Sequence, residues 1–287
     1  MNNLYLPSSL PFDVAAAMRL VMREEVMPLW CNLREEQVRD KGSMGEEDWV
    51  TQADLAAEAR LEPVLLNLLA GSRVIGEEAV SADRGLLAGI GEGVVWTLDP
   101  VDGTKAFKQG EVGFGMLIGL LVDGVPIAGW SLLGVEATMV AAFNGHVVID
   151  ELSPLSSPLP AGCYEVDGKM GDSRRRPWLR VQPAMDSLTS QGIVVERSCY
   201  SVGDYADLAR GAVCWHGVIH DCPWDHVAGL AIVKARGGVA LDLLGRPWNA
   251  GSSCGTFACM QPSLAPELLR SISSAMGGLE EGSFSSY

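Results

Sequence analysis

Two aspartates three positions apart close an apolar run in Val94-Val95-Trp96-Thr97-Leu98-Asp99-Pro100-Val101-Asp102-Gly103-Thr104. Neighbouring carboxylates repel, and burying either one unpaired is costly, so the pattern asks for a compensating cation. Pro100 fixes the backbone after Asp99, and Gly103 permits a sharp turn or a close ligand approach. Oxygen-only ligands suit a hard cation such as Mg²⁺, which shares carboxylates with phosphate oxygens. A helix starting here would also present free N–H groups to a phosphate. An Asp/Gly turn with both acids in solvent fits the same letters.

Other chemistry-bearing residues lie far away in sequence. Glu77 and Glu78 follow the short apolar stretch Ser72–Gly76, where a polar loop is the ordinary reading. Asp225 follows Pro223-Trp224 and opens an apolar helical run, and Asp54 stands where another helix begins. Either aspartate could be a plain N-cap. Cys214, His216, His220 and Cys222 supply four candidate ligands in a C-x-H-x3-H-x-C spacing. That spacing matches none of the common zinc patterns, and reduced thiols with core histidines are more ordinary. Arg174-Arg175-Arg176 could meet a second phosphate or form a solvated loop.

The elements that must position these residues read as alternating helices and strands. Apolar spacing predicts a helix over 13–39, kinked or divided by Pro28, and a second from Asp54 to about Leu69. Strands are expected at 72–76 and 94–98, then a meander over 113–122, 125–133 and 138–149 with Asp-Gly and Asn-Gly turns. The Pro- and Ser-rich stretch 151–162 is the best candidate boundary. Beyond it follow a strand at 192–196, a helix near 203–211, a strand or turn at 212–219 and a helix from Trp224 to Arg236. A strand pair at 238–243 and 255–260 and a helix at 264–276 complete the chain. The expectation is a layered α/β protein in two parts, 1–150 and 151–287.

Composition sets limits. The chain has 287 residues, 48% hydrophobic and 20% charged, enough for a substantial core. A formal charge of −15 argues against a nucleic-acid or anionic-membrane partner. An anionic substrate stays possible, because bound metal ions invert the local field. The longest apolar run, at 113–122, is too short to span a membrane, and the first residues lack a signal-peptide pattern. Seven scattered cysteines suggest reduced thiols in a cytoplasm.

Taken in order, Val50–Asp54, Ile75–Glu78, Trp96–Phe107, Ser201–Gly203 and Pro223–Gly229 resemble the inositol monophosphatase family. The most specific piece is WxxDPxDGTxxF. The resemblance implies a layered αβαβα sandwich of the inositol monophosphatase and fructose-1,6-bisphosphatase type. It also implies Mg²⁺-dependent, lithium-sensitive hydrolysis of a small phosphorylated metabolite, with two or three ions per site. Glu77, Asp99 and the Val101 carbonyl match the ligands of a first ion. Asp99, Asp102 and Asp225 match those of a second, with Glu77 available to a third. Thr104 and Asp54 match the pair that orients and deprotonates the attacking water. Asp102, Gly103 and Thr104 would hold phosphate, while Ser201, Gly203, Asp204, Tyr205 and Asp225 would line the alcohol. A cytoplasmic homodimer is the corresponding expectation.

The sequence departs from inositol-specific members, which place an acid shortly before the Trp-Asp pair. Val218 or Ile219 stands near that position here, and Asp221 has the wrong offset. Lys105 and Phe107 look more like members acting on histidinol phosphate or 3′-phosphoadenosine 5′-phosphate. A catalytically idle regulatory or assembly protein on the same fold is the alternative of another class. A Ca²⁺-stabilised binding module fits poorly, because the acids are not gathered in one loop.

Overall fold

The computed structural model describes residues 6–41, 49–152, 168–171, 177–198, 200–219 and 222–281. In chain order the elements are α1 (Leu10–Val21), β1 (Val38–Asp40), β2 (Trp49–Thr51), α2 (Gln52–Leu68), β3 (Arg73–Gly76), α3 (Glu77–Ala82) and β4 (Val94–Asp102). Next come α4 (Thr104–Gln109), β5 (Gly115–Val122), β6 (Val125–Leu133), β7 (Met139–Phe143), β8 (His146–Asp150) and β9 (Gly168–Gly171). The chain ends with α5 (Pro177–Ser190), β10 (Val195–Arg197), α6 (Ser201–Arg210), β11 (Trp215–Val218), α7 (Pro223–Ala235), β12 (Val239–Leu241), β13 (Thr256–Cys259) and α8 (Ala265–Ala275).

Five layers result. A six-stranded sheet runs β3-β4-β5-β6-β7-β8, antiparallel except for the parallel β3–β4 pair. A five-stranded sheet runs β10-β9-β11-β13-β12. Helices α1 and α2 cover one face of the larger sheet, and α6 and α7 lie between the sheets. Outside the smaller sheet, Ala184, Met185 and Leu188 of α5 share a core with Leu268, Leu269 and Ile272 of α8. The expected αβαβα layering is therefore the observed one.

Strands buried on both faces read as continuous apolar runs, which explains 94–98 and 115–122. Trp96 and Trp130 pack at 5.9 Å between ring centroids under α1 and α2. Their indole N–H groups donate to Ser72 Oγ at 3.0 Å and to the Pro11 carbonyl at 2.9 Å, so each buried polar tip has a partner.

Several expected boundaries need correction. The helix predicted over 13–39 starts at Leu10 and ends in one π turn at Val26, before Pro28. Residues 35–40 are instead a 3₁₀ turn and β1, because a proline cannot supply the N–H a continuing helix needs. Strand β4 runs on through both aspartates to Asp102. Residues 138–149 are two strands folded at Asn144-Gly145, whose φ angles of 49° and 78° suit a tight hairpin. Most of the expected boundary at 151–162, and Arg174–Arg176, fall outside the described residues. No helix among the described residues is long and apolar enough to cross a membrane.

Candidate active site

The carboxylates predicted to act together converge where the ends of β3 and β4 meet the starts of α2 and α7. Asp54, Glu77, Asp99 and Asp102 are buried, and Asp225 is half-buried. Their mutual repulsion is felt most at Asp99. Burial raises its pKa well above the usual range, and Glu77, Asp102, Asp225 and Asp54 add to the rise in that order. Burial likewise pushes Asp54 up to about 7, helped by Glu77. Asp102 reaches about 7 through burial, with Asp204 and Glu77 contributing. Glu78 is pushed to about 8 by burial and by Glu77.

Local backbone sets each side chain. Asp54 is not the N-cap of α2; that is Thr51, whose Oγ1 accepts the Ala53 N–H at 3.1 Å. Asp54 is the third helical residue, and its Oδ2 accepts from both the N–H and the hydroxyl of Thr51, completing a capping box. Its other oxygen, Oδ1, is left facing Thr104 Oγ1 at 3.4 Å. Thr104 Oγ1 also donates to the Val101 carbonyl at 3.0 Å. Asp225 is not an N-cap either, since Cys222 holds that position on α7.

Between Asp102 and Thr104 the chain turns from strand to helix at Gly103, with φ +84°. A Cβ there would lie 2.3 Å from the Gly113 carbonyl oxygen, so the turn demands glycine on both counts. On β4, Asp99 Oδ1 accepts the Val101 N–H at 3.1 Å.

Two residues here escaped the sequence reading. Lys41, after β1, donates to Glu77 Oε1 at 3.0 Å and to Glu78 Oε1 at 2.7 Å. Glu58, one turn beyond Asp54 on α2, accepts the Glu78 and Ala79 N–H groups. The spacing Asp54…Glu58 places both acids on one helix face, a pattern that solvated acids of any amphipathic helix share.

The residues expected to line an alcohol are divided. Ser201 and Gly203 lie at the start of α6, Gly203 under the Tyr200 ring. Neither Ser201 nor Asp204 caps this helix; Asp102 Oδ2 accepts the Val202 N–H instead. Asp204 turns inward and accepts from Ser198 Oγ, with His216 Nδ1 4.0 Å away. The Tyr205 hydroxyl lies 3.2 Å from His226 Nδ1, deep between α6 and α7. Of the four residues weighed as a zinc site, Cys214, His216 and Cys222 are buried. His220, like Asp221, lies outside the described residues.

Among the described residues no three His, Cys, Asp or Glu side chains stand in an arrangement that could hold a metal ion as they lie. The acids are close enough to raise one another, yet oxygens of Asp54, Glu77, Asp99 and Asp102 face N–H, hydroxyl and ammonium donors. Their donor chemistry is that of a hard-cation site: oxygen only, mostly buried, and raised in pKa by burial and by the mutual repulsion that a cation would relieve.

A layered α/β fold with buried carboxylates gathered at strand and helix ends defines a class of protein built to place hard cations against an anionic ligand. The sequence model of the inositol monophosphatase family matches residues 10–276, and the chain belongs to that family. It is 31% identical to the probable inositol 1-monophosphatase ImpA of Mycobacterium tuberculosis over 226 residues, 75% of this chain and 77% of that one. It is 25% identical to a 3′(2′),5′-bisphosphate nucleotidase of Emericella nidulans, covering 73% and 69% of the two chains. The solved Thermotoga maritima IMPase shares the fold with a TM-score of 0.74 at 19% identity, covering 94% of this chain and 99% of that one.

Proposed function

We propose that the protein is a Mg²⁺-dependent phosphatase that hydrolyses a small phosphate monoester by direct attack of water. One observation carries the reading: Thr104 Oγ1 stands 3.4 Å from Asp54 Oδ1, beside the buried carboxylates. In this reading Glu77, Asp99, Asp102, Asp225 and the Val101 carbonyl hold the ions. Mg²⁺ bound there would supply charge withdrawal from the phosphate and acidification of a water.

The chain's own groups do the rest. The Gly103 and Thr104 N–H groups, at the start of α4, bind phosphate oxygens. Thr104 Oγ1 orients the attacking water; its hydroxyl proton passes to Asp54 Oδ1 as the water's proton replaces it. Thr51 holds Asp54 Oδ2, so the receiving oxygen keeps its direction. Positioning and electrostatics then provide most of the acceleration, as expected for phosphoryl transfer through a loose transition state.

The two parts 1–150 and 151–287 meet in this reading at the α6 and α7 starts, which bring Asp225 and the Ser201–Gly203 segment to the acids. Family resemblance extends it to a lithium-sensitive homodimer. The five described cysteines, all free thiols, agree with a cytoplasmic setting. For the leaving alcohol, Val218 and Ile219 are apolar and buried, which argues against the inositol-type contact. The sequence Lys105-Ala106-Phe107 after Thr104 resembles members acting on histidinol phosphate or 3′-phosphoadenosine 5′-phosphate, and these esters are the alternative substrates.

Phosphate release should be measured with and without Mg²⁺. The panel should include inositol 1-phosphate, histidinol phosphate, 3′-phosphoadenosine 5′-phosphate, fructose 1,6-bisphosphate and other sugar phosphates. Release lost on chelation supports the reading. Divalent binding without release from any ester would favour a regulatory protein on this fold.

A further inference from the structure

The turn that delivers Glu77 is gripped from behind by a carboxylate for which the reaction has no use. Glu58 is 8% exposed, and its Oε2 accepts the Glu78 N–H at 2.9 Å while Oε1 accepts the Ala79 N–H at 2.8 Å. These are first-turn donors of α3, which have no partner within their own helix. A Cβ on Gly76 would lie 2.4 Å from Glu58 Cδ and 2.5 and 2.7 Å from its oxygens. The carboxylate therefore lies flat against a bare glycine.

This arrangement is electrostatically unfavourable by itself. Burial raises the Glu58 pKa, the two N–H bonds lower it, and Glu77 raises it again. A glutamine would fill the same volume without the charge. What glutamine lacks is a second acceptor, and both acceptors are in use.

We propose that Glu58 is a positioning residue: with Gly76 as its seat, it clamps the start of α3 and fixes the Glu77 carboxylate relative to Asp54 and Asp99. The inference rests on reading Glu77 as a cation ligand. Helix α2 then serves the site twice, with Asp54 facing Thr104 and Glu58 holding the segment that carries Glu77. The clamp leaves the proton path untouched, so its loss should weaken ion binding more than turnover.

The test uses full-length Glu58→Gln, with Gly76→Ala disturbing the same contact from the opposite side. Glu62→Gln, exposed on the same helix, is the control. Outer-shell partners of metal ligands commonly change affinity by roughly 10- to 100-fold. Mn²⁺ binding to the metal-free protein should weaken by about 10-fold or more in Glu58→Gln, and half-activation by Mg²⁺ should shift alike. Turnover at saturating Mg²⁺ should stay within about 3-fold, a split in which uniform binding rather than chemistry is lost. Amide exchange at Glu78 and Ala79 in the metal-free protein should accelerate, and Gly76→Ala should reproduce the pattern. Faster exchange with unchanged Mn²⁺ affinity would reduce Glu58 to a helix cap and overturn the proposal. Unchanged exchange and affinity would overturn it outright. If the wild type hydrolyses no ester while Glu58→Gln still loses Mn²⁺ affinity, the phosphatase reading fails and the clamp stands.

Discussion

Asp102 Oδ2 accepts the N–H of Val202, 100 residues along the chain, and so caps α6 from the end of β4. Ser201 N–H adds a second backbone bond to the same carboxylate. One acid thus docks the helix that starts the expected alcohol-binding segment and also belongs to the proposed cation site. These two duties can be separated by substitution. Asp102→Asn keeps one acceptor for Val202 but offers an NH₂ in place of the second acceptor, so it should lose at least about 100-fold in activity with the charge and be destabilised less than Asp102→Ala. Asp102→Ala should lose activity similarly and also about 1–3 kcal/mol of stability, because the buried Val202 N–H is orphaned. Melting curves and phosphate release on both variants decide it; full activity in Asp102→Asn would remove the carboxylate from the site.

Asp99 carries the heaviest repulsion, with four carboxylates raising its pKa on top of burial. Asp99→Asn should therefore melt higher than wild type in a chelator, while its activity with Mg²⁺ falls to background. Function and stability would then oppose each other at one residue, as strained sites often show. A chelated variant that melts below wild type would mean Asp99 is tied to its neighbours more strongly than it is repelled.

Much of this arrangement was legible in the letters. The apolar runs gave the central sheet, because strands buried on both faces leave little other reading. Asp99, Asp102 and Thr104 could be singled out because Pro100 and Gly103 punctuate them. Lys41 and Glu58 could not be found this way. A lysine beyond a three-residue strand has no periodic signal, and Glu58 looks like one more polar residue of an amphipathic helix. Their importance arises from tertiary neighbours, Glu77 and Gly76. The inward turn of Asp204 toward Ser198 was hidden for the same reason, since an aspartate near a helix start reads as a cap. At Pro28 the signal was present, and the helix ends at Val26, just before it, because proline lacks an N–H and restricts the residue that precedes it.

Thr104 Oγ1 has one proton and two acceptors within reach, the Val101 carbonyl and Asp54 Oδ1. Thr104→Ala removes the proton path and leaves every carboxylate in place. Turnover should fall by about 10²–10⁴-fold, the usual range for lost acid–base assistance, with half-activation by Mg²⁺ changed less than about 3-fold. Thr104→Ser, which keeps the hydroxyl, should recover most of the rate. Steady-state kinetics at varied Mg²⁺ reads both quantities; a rate unchanged in Thr104→Ala would exclude this hydroxyl from the proton path.

The raised carboxylates also tie stability to pH and metal. Asp54 and Asp102 stand at about 7 in the metal-free fold, against an ordinary 3.8. Through the window from roughly pH 4 to pH 7 the folded chain binds more protons than the unfolded chain, so these two groups make stability fall as pH rises. Cations and protons compete for the same oxygens, and metal binding should release protons. In a chelator the melting temperature should be lower at about pH 8 than at about pH 5.5, with the slope reduced in Asp102→Asn. Saturating Mg²⁺ should raise it at both values and by more at the higher pH, because fewer protons then have to be displaced. Calorimetry at about pH 6 in two buffers of different ionisation heat would register the released protons directly. An equal Mg²⁺ shift at both pH values, with no buffer dependence, would mean the ion binds away from these carboxylates.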